Sequence, residues 1–468
     1  MQITKETPSS TNPLDLSEIR TVIATYLNSK DSLSCMRVSR AWFQDFAPYV
    51  WHTINFDEDD IAFKKVTPEI LDKYGAFISE ALNITHMEDL LAIQHHKVGA
   101  LKSIHVRPTR SNLYRELISG LLLRCNGSIH TLDIRCDSPS PDTLKEQRKQ
   151  PEHYVRVADI IAAGGVSPSA DNRITPGRGG CLRTLTLGYV CFTREGFSTL
   201  LRCSPSLDEL ILFRVIVMGH TKSIPLYTGS NLRRLSASLI QIYALDEEDS
   251  NAPCLLLHFP LLKNWNIMQM YRPDHWTTDP VCEDFSSWCP DLKNITFGHD
   301  NPELISNLLI NTFQKVESCT PLAENLTPST ALGLIAHQAT LMSIAIQGEM
   351  EDTTWTQWFH TIPRLCSNLQ VLSLKSLELD SKSLDAFQWG CKDLRELRVR
   401  FKDLGDPEEI DTCLMPLCDW RRFGGGVFIP HKDKVNIETR VCQFLFQFKK
   451  LRTVWLGTKD YYLSPLYD

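Results

Sequence analysis

One short apolar pattern recurs along most of this chain, and the recurrence constrains the fold more than any other feature. The pattern is an apolar residue, two residues of any kind, an apolar residue, one further residue and a third apolar residue. Its eleven matches begin at Leu101, Ile129, Leu182, Leu207, Leu232, Leu262, Leu292, Leu341, Leu369, Leu394 and Leu451, with a weaker match at Phe313-Val316-Ser318. Intervals of 25, 25, 30 and 30 residues separate the matches from Leu182 to Leu292. This regular spacing indicates internal repeats.

The residues that flank the pattern support the same interpretation. Cysteine precedes five matches by three or four residues, at Cys125, Cys203, Cys289, Cys366 and Cys391. Composition alone predicts about one such coincidence or fewer among eleven matches. We expect each of these cysteines in the tight turn that leads into a strand, where a small and mildly apolar side chain fits. The chain has 15 cysteines, an odd number that cannot be fully paired, so we expect buried free thiols.

Stretches just before several matches have the apolar spacing of helices. They are residues 115–124, 194–203, 303–313 and 383–391. A short strand with a helix, repeated every ~20–29 residues, is typical of a leucine-rich repeat. Stacked units would bury one face of each strand and one stripe of each helix. We therefore predict an α/β fold over residues 101–468: a leucine-rich-repeat solenoid with a parallel inner sheet, outer helices, and loop insertions near residues 135–180 and 402–440.

The amino end of the chain has a different pattern. Residues 1–13 are predicted to be a disordered tail, residues 14–56 three short helices, and residues 57–100 a linker with the first degenerate repeats. In the first helix Ile19, Ile23 and Leu27 share one face. In the second helix Leu33, Met36 and Val38 are predicted to point inward, and the third helix carries Trp42, Phe46 and Tyr49. Such a bundle is small and gains stability from a partner.

Three groups of residues in this segment resemble the F-box. They are Asp31-Ser32-Leu33, Val38-Ser39-Arg40-Ala41-Trp42 and Tyr49-Val50-Trp51, with Glu18-Ile19 and Leu27 matching the first helix of the family. The resemblance covers about residues 14 to 56. The sequence departs from the family where Asp15-Leu16 replaces a Leu-Pro pair, although Pro13-Leu14 lies slightly earlier.

An F-box followed by leucine-rich repeats resembles a substrate receptor of a Skp–cullin–F-box ubiquitin ligase. The resemblance implies a subunit that is not itself an enzyme and needs no cofactor. It would bind a Skp-type adaptor, and through it a cullin, in the cytoplasm or the nucleus. The implied adaptor-binding residues are Leu14, Leu16, Ile19, Ile23, Leu33, Val38, Arg40, Trp42 and Trp51. The alternative is a leucine-rich-repeat scaffold for protein interactions that is not coupled to ubiquitination.

Residues between the three apolar positions of each match are expected on the opposite, concave face of the sheet, where a substrate protein would bind. Ile211, Phe213 and Met268 would form an exposed apolar group there. Lys375, Arg398 and Arg400 would form a basic group suited to an acidic or phosphorylated segment. Trp455 completes the predicted substrate-binding residues.

Composition and motifs exclude several other classes of function. The formal net charge is −7, whereas nucleic-acid-binding surfaces are usually basic. No apolar segment approaches the ~18 residues of a membrane span, and we expect no signal peptide and an intracellular protein. Cys413, Cys418 and His431 do not complete a four-ligand zinc set. The acidic runs at residues 57–60 and 246–249 lack calcium-loop spacing and are expected to be solvated loops. No hydrolase, metalloprotease or Walker motif occurs.

Overall fold

The structure is a computed structural model. It describes residues 13–56, 66–96, 98, 101–107, 117–122, 127–135, 160, 181–213, 215–218, 231–243, 259–271, 289–297, 305–306, 308–322, 327–346, 355–386, 388–402, 437–456 and 460–463. The chain forms two compact units. Unit 1 comprises Met1–Leu207 and Val215–Met218, and unit 2 comprises Asp208–Arg214 and Gly219–Asp468.

The described helices and strands alternate along most of the chain. The α-helices are α1 (Ser17–Tyr26), α2 (Ser29–Cys35), α3 (Arg40–Val50), α4 (Pro68–Tyr74), α5 (Met87–His95), α6 (Arg194–Cys203), α7 (Pro328–Ala336), α8 (Trp355–Leu365) and α9 (Ile437–Phe446). The strands are β1 (Thr53–Asn55), β2 (Glu80–Ile84), β3 (Ser103–Val106), β4 (Thr131–Arg135), β5 (Thr184–Gly188), β6 (Cys191–Thr193), β7 (Glu209–Phe213), β8 (Ile216–Met218), β9 (Arg234–Tyr243), β10 (Asn264–Tyr271), β11 (Asn294–Phe297), β12 (Ser318–Pro321), β13 (Ser343–Ala345), β14 (Val371–Leu379), β15 (Glu396–Phe401), β16 (Thr453–Trp455) and β17 (Asp460–Tyr462). Short 3-10 helices cover Pro13–Asp15, Gly75–Phe77 and Ser381–Ala386, and a π-helical turn covers Leu308–Thr312.

Unit 1 begins with α1, α2 and α3, and polar caps divide the chain into these separate helices. The Asn28 side chain accepts a hydrogen bond from the Asp31 N–H at 2.9 Å, and the Ser39 hydroxyl accepts one from the Trp42 N–H at 3.3 Å. Both side chains satisfy an N–H at the start of a helix that has no partner within it. Val38, predicted to point inward, is instead 64% exposed because α2 ends at Cys35 and Val38 lies in the turn before α3.

The remainder of unit 1 is built on a parallel sheet. Strands β1, β2, β3, β4 and β5 pair in chain order, and β6 pairs in parallel with β8. The ladder thus begins at Thr53, whereas the first match to the pattern was at Leu101. In β2 the spacing is broken because the register shifts between Ala81 and Ile84, and Asn83 has a left-handed φ of 53°. The strand β2 thus lies in the segment predicted to hold the first degenerate repeats, and its irregular spacing explains why it does not match the pattern.

Unit 2 contains the longer ladder. Strand β7 pairs with β9, and from β9 each strand pairs in parallel with the next strand along the chain, as far as β16. Strand β17 then adds to β16 in the antiparallel direction. The predicted parallel sheet with helices between its strands is therefore present.

One backbone arrangement repeats as the chain enters successive strands. A single carbonyl before one strand accepts hydrogen bonds from two consecutive N–H groups of the next repeat. The His52 carbonyl accepts them from Ser79 and Glu80 at 2.9 and 3.0 Å. In unit 2 the Arg233 carbonyl accepts them from Lys263 and Asn264 at 2.8 and 3.0 Å. Each repeat consequently starts its strand in the same register relative to the one before.

The apolar pattern identifies the core correctly. All three positions of the eleven matches are buried wherever their side chains are described, and only the Ile267 side chain lies outside that description. The prediction for the cysteines is confirmed at Cys289, Cys366 and Cys391, which are buried just before the turn into a strand. The Cys366 carbonyl accepts a hydrogen bond from the Leu369 N–H at 3.2 Å. Burial raises the pKa of the Cys366 and Cys391 thiols to about 12.

The helix predicted at residues 194–203 has the predicted bounds. Two other local predictions need correction. Residues 383–391 do not form an α-helix, because Ser381–Ala386 is a 3-10 helix and the N–H groups of Gly390 and Cys391 donate to the Pro363 carbonyl. The weak repeat at Phe313 exists but is displaced by three residues. Its buried positions are Val316, Cys319 and Pro321, because β12 starts at Ser318.

Candidate functional site: the outer face of the first helix

Helix α1 has apolar residues on two different faces. The inward face carries the buried residues Arg20 and Ala24, with Ile23 and Leu27 packed beside them. The outward face carries Ile19, Val22 and Tyr26, which are 40%, 56% and 85% exposed. Because these three residues are spaced three and four apart, they form one stripe along the helix. The prediction that Ile19 shares a face with Ile23 and Leu27 is therefore wrong, because only the latter two pack against the core. We call Ile19, Val22 and Tyr26, with Leu14 and Leu16 of the preceding turn, the docking face.

The turn before α1 carries two more exposed apolar residues. Leu14 and Leu16 are 41% and 47% exposed, and the 3-10 helix Pro13–Asp15 holds them directly before the helix. The Leu16 N–H donates to the Pro13 carbonyl at 3.2 Å, and the Leu16 carbonyl accepts from the Arg20 N–H at 3.2 Å. Five apolar side chains therefore lie exposed on one short segment. An exposed apolar group of this kind typically marks an interaction surface.

The buried Arg20 of α1 forms an ion pair with the half-buried Asp45 of α3. The Arg20 Nε donates to Asp45 Oδ2 at 2.5 Å, and the Ser17 hydroxyl donates to Asp45 Oδ1 at 2.7 Å. A second nitrogen of Arg20, Nη1, donates to the Leu14 carbonyl at 2.8 Å. Desolvation alone would raise the pKa of Asp45. The hydrogen bonds from Ser17 and Arg20, with the charge of Arg20, outweigh it and hold that pKa below its ordinary value of 3.8.

The nine predicted adaptor-binding residues fall into two groups in the structure. Leu14, Leu16, Ile19, Val38 and Arg40 are exposed. Ile23, Leu33, Trp42 and Trp51 are half-buried and pack against the core formed by Ala24, Met36, Phe46 and Ala47.

Both tryptophans of the second group stack on aromatic neighbours. Trp42 lies on Phe46 with ring centroids 5.3 Å apart, and Trp51 lies on Tyr74 at 4.4 Å. Tyr74 and Phe77 thus extend this core beyond residue 56. Val22 and Tyr26 are exposed residues that the sequence analysis missed. Their spacing from Ile19 was the available signal.

The sheet face of unit 1 carries a polar cluster that the sequence analysis also missed. His105 Nε2 lies 3.1 Å from the Ser103 hydroxyl, and His105 Nδ1 lies 3.3 Å from Asp133 Oδ2. The Arg135 Nε donates to Asp133 Oδ1 at 2.9 Å. Ser103, His105 and Asp133 are the residue types of a hydrolase triad, but acyl transfer also needs N–H groups that stabilise an oxyanion. The nearby N–H groups of Lys102 and Ser103 already donate to the Ser79 carbonyl. The cluster is a polar surface and gives no argument for catalysis.

The predicted substrate-binding residues lie on strands of unit 2. Ile211 and Phe213 are half-buried on β7, and Trp455 is half-buried on β16, where it pairs with Arg398 of β15. Met268 and Lys375 belong to β10 and β14, but their side chains lie outside the described residues.

The two arginines of the predicted basic group have carboxylate partners. The Arg398 Nε lies 2.7 Å from Glu396 Oε1, and the Arg400 Nε lies 3.3 Å from Glu378 Oε1. Each of these two arginines is therefore paired with a glutamate. An acidic segment that bound here would have to displace or accommodate two glutamates.

Small polar side chains lie on the same face between these two ends. Ser236, Thr296, Thr320 and Ser373 are half-buried, and the Asn294 amide donates to the Asn264 side-chain oxygen at 2.5 Å. These side chains carry hydroxyl and amide groups that can donate and accept hydrogen bonds. This face can contact a protein segment through hydrogen bonds, with larger residues at either end.

The remaining sequence predictions concern metal sites and membrane-spanning segments. Within the described ranges no three His, Cys, Asp or Glu side chains are grouped so that they could hold a metal ion. Cys413, Cys418, His431 and both acidic runs lie outside those ranges. Of the helices in the described part of the chain, none has the length and apolar composition needed to cross a bilayer.

No protein-family model matches the sequence, and no curated protein is significantly similar to it.

Proposed function

We propose that this chain is the substrate-recognition subunit of a Skp–cullin–F-box ubiquitin ligase. Residues 14–56 would act as the F-box and bind a Skp-type adaptor, which connects the chain to a cullin. Residues 101–468 would form a leucine-rich-repeat solenoid that binds the substrate protein. The observation that carries the proposal is the docking face, which lies on a small group of three helices ahead of the parallel ladders.

The docking face is more exposed than the stability of the helices requires. Phe46 and Ala47 are fully buried, and Ile19, Val22 and Tyr26 are not among the residues that pack against their cluster. Covering an exposed apolar side chain with a partner contributes up to about 2 kcal/mol per residue. Five neighbouring residues of this kind support a stable complex with another protein.

The proposed role involves no covalent chemistry by this chain. A receptor that binds both an adaptor and a substrate raises the local concentration of substrate lysines near a ubiquitin-conjugating enzyme. The parallel ladder of unit 2 supports this role, because its nine described strands offer a long polar face. Ile211, Phe213, Met268, Lys375, Arg398, Arg400 and Trp455 remain the proposed substrate contacts.

Binding of a purified Skp-type adaptor to the full-length chain tests the proposal. Calorimetry or surface plasmon resonance would compare the wild type with Leu16→Ala, Val22→Ala and Tyr26→Ala. Each substitution should weaken binding by about 3- to 30-fold, since each removes part of the covered apolar area. Thermal stability should change little, because these side chains are exposed.

The matched control is Leu332→Ala. Leu332 lies on α7 and is 51% exposed, comparable to Val22 at 56%. This variant should bind the adaptor as the wild type does. If the wild type fails to bind, or if the docking-face variants bind normally, the proposal is wrong and an interaction scaffold without ligase coupling replaces it.

A further inference from the structure

We infer that Arg20, held by Asp45, is a positioning residue for adaptor binding. It fixes the turn that carries Leu14 and Leu16 against α1 and so arranges the docking face before the partner arrives. The inference rests on the proposed function, because the docking face is the surface that this pair would organise.

The contacts of Arg20 join three parts of the chain. Its Nη1 donates to the Leu14 carbonyl at 2.8 Å, and its Nε donates to Asp45 on α3 at 2.5 Å. Arg20 itself lies on α1 and is only 6% exposed. Its planar guanidinium presents several donors in fixed directions, so one side chain can bind a carboxylate and a backbone carbonyl together.

The turn has only a short hydrogen-bonded segment of its own. Pro13–Asp15 is a three-residue 3-10 helix, and such helices have poor hydrogen-bond geometry. Leu14 in this helix and Leu16 directly after it nevertheless have more than 40% of their surface exposed. An external anchor such as the Arg20–Leu14 contact lowers the entropy that binding must remove.

Stability alone does not explain a buried arginine at this position. Replacing a buried ion pair by apolar side chains of similar volume is often neutral or stabilising. An apolar residue in place of Arg20 could pack against Ala24, but it could not donate to the Leu14 carbonyl. A positioning role and a purely structural role therefore predict different results for the same variant.

The test is the double variant Arg20→Met/Asp45→Leu of the full-length chain, which removes both charges together. We expect its thermal stability to stay close to that of the wild type. We expect adaptor affinity to fall about 10- to 100-fold, as if one or two backbone residues had to be ordered on binding. Arg20→Lys should be intermediate, since an ammonium group pairs with Asp45 but lacks the forked geometry.

A second readout does not involve the adaptor. The amide hydrogens of Leu16 and Arg20 donate to the Pro13 and Leu16 carbonyls, and their exchange reports order at the turn. In the double variant these two amides should exchange at least tenfold faster. The amide of Trp51, which donates to the Ala47 carbonyl at the end of α3, should keep its wild-type rate.

The control is Arg37→Met, because Arg37 is an exposed arginine of the same helical segment. It should change neither affinity nor exchange. If the double variant fails to fold, Asp45→Asn replaces it, since that change keeps the size of the side chain and weakens only the pairing.

The outcomes separate the inference from the proposed function. A wild type that does not bind the adaptor contradicts the proposed function, while the exchange experiment still tests the anchor. Unchanged exchange at Leu16 and Arg20 refutes the inference whatever the adaptor does. Unchanged affinity in a folded variant, with a wild type that binds, refutes it as well.

Discussion

Acidification should destabilise unit 2 through His360, a fully buried residue of α8. Burial lowers the pKa of His360 from 6.5 to about 4. The Trp389 Nε1 donates to His360 Nδ1 at 3.3 Å, and His360 Nε2 lies 2.9 Å from the Ser383 hydroxyl. That hydroxyl donates to the Asp380 carbonyl, so the neutral ring carries its proton on Nε2. Protonation would place a second N–H directly against the indole N–H.

The sign and size of the effect follow from the two pKa values. The unfolded chain takes up the proton near pH 6.5, whereas the folded chain resists it until about pH 4. The contribution of His360 is complete above about pH 6.5 and is lost as the pH falls toward 4. The loss relative to neutral pH is about 2 kcal/mol at about pH 5 and about 3 kcal/mol at about pH 4.

The assay compares the wild type with His360→Gln. Glutamine does not titrate, and its amide can accept from Trp389 and donate to Ser383. Urea titrations followed by circular dichroism would give the free energy of unfolding from about pH 8 to about pH 5. The wild type should lose about 2 kcal/mol more than the variant over this range.

Other groups titrate in both the wild type and His360→Gln. The effect of His360 is therefore the difference between their free energies of unfolding as a function of pH. His86→Gln at an exposed histidine serves as the control and should run parallel to the wild type. Parallel profiles for the wild type and His360→Gln would refute the reasoning. The neutral, buried state of His360 would then make no contribution to stability.

Two further predictions concern the packing of the repeats. Gly390→Ala should lower the free energy of unfolding by about 3 kcal/mol, because a Cβ there would overlap the Arg364 carbonyl oxygen, which belongs to the backbone and cannot move aside. The control is Gly188→Ala, where the Cβ would lie 3.3 Å from the flexible Arg135 side chain, and its free energy of unfolding should fall much less. Equal decreases for the two variants in urea titrations would contradict this explanation. Burial raises the pKa of the Cys319 and Cys366 thiols to about 12, so iodoacetamide at about pH 8 should leave both unlabelled in the folded chain. Peptide mapping should show that the half-exposed Cys35 is labelled before Cys366, and labelling of both at the same rate would disprove the assignment.

The parallel ladders were the most predictable part of the fold. Each repeat must bury three apolar positions of its own strand, so the repeat period can be recognised from residues that are close together in the sequence. Leu182, Leu185 and Leu187 show this, since all three are at most 1% exposed as the pattern predicts. The strand β2 lies in the segment predicted to hold the first degenerate repeats, and the left-handed residue Asn83 and the shifted register make its spacing irregular. The strand β1 lies in the segment predicted to form only helices.

The docking face was predictable only in part. The sequence predicts a helix with apolar residues at the start of the F-box-like segment, and Leu14, Leu16 and Ile19 were predicted as partner contacts. Which stripe of α1 faces outward depends on what packs against the other side. Arg20 is buried there because Asp45, 25 residues further along, supplies its charge partner. No pattern within the helix contains that information.

The sequence by itself determined the repeat period, the buried positions of the strands, the buried cysteines before the turns into strands, and the presence of three amino-terminal helices. All of these follow from residues close together in the chain, because burial and capping act over a few residues. The tertiary structure alone decided the partners of the polar groups: Arg20 with Asp45, His105 with Asp133, and Arg400 with Glu378. It had to do so, because a charged side chain pairs with whatever the fold brings near, at any separation along the chain.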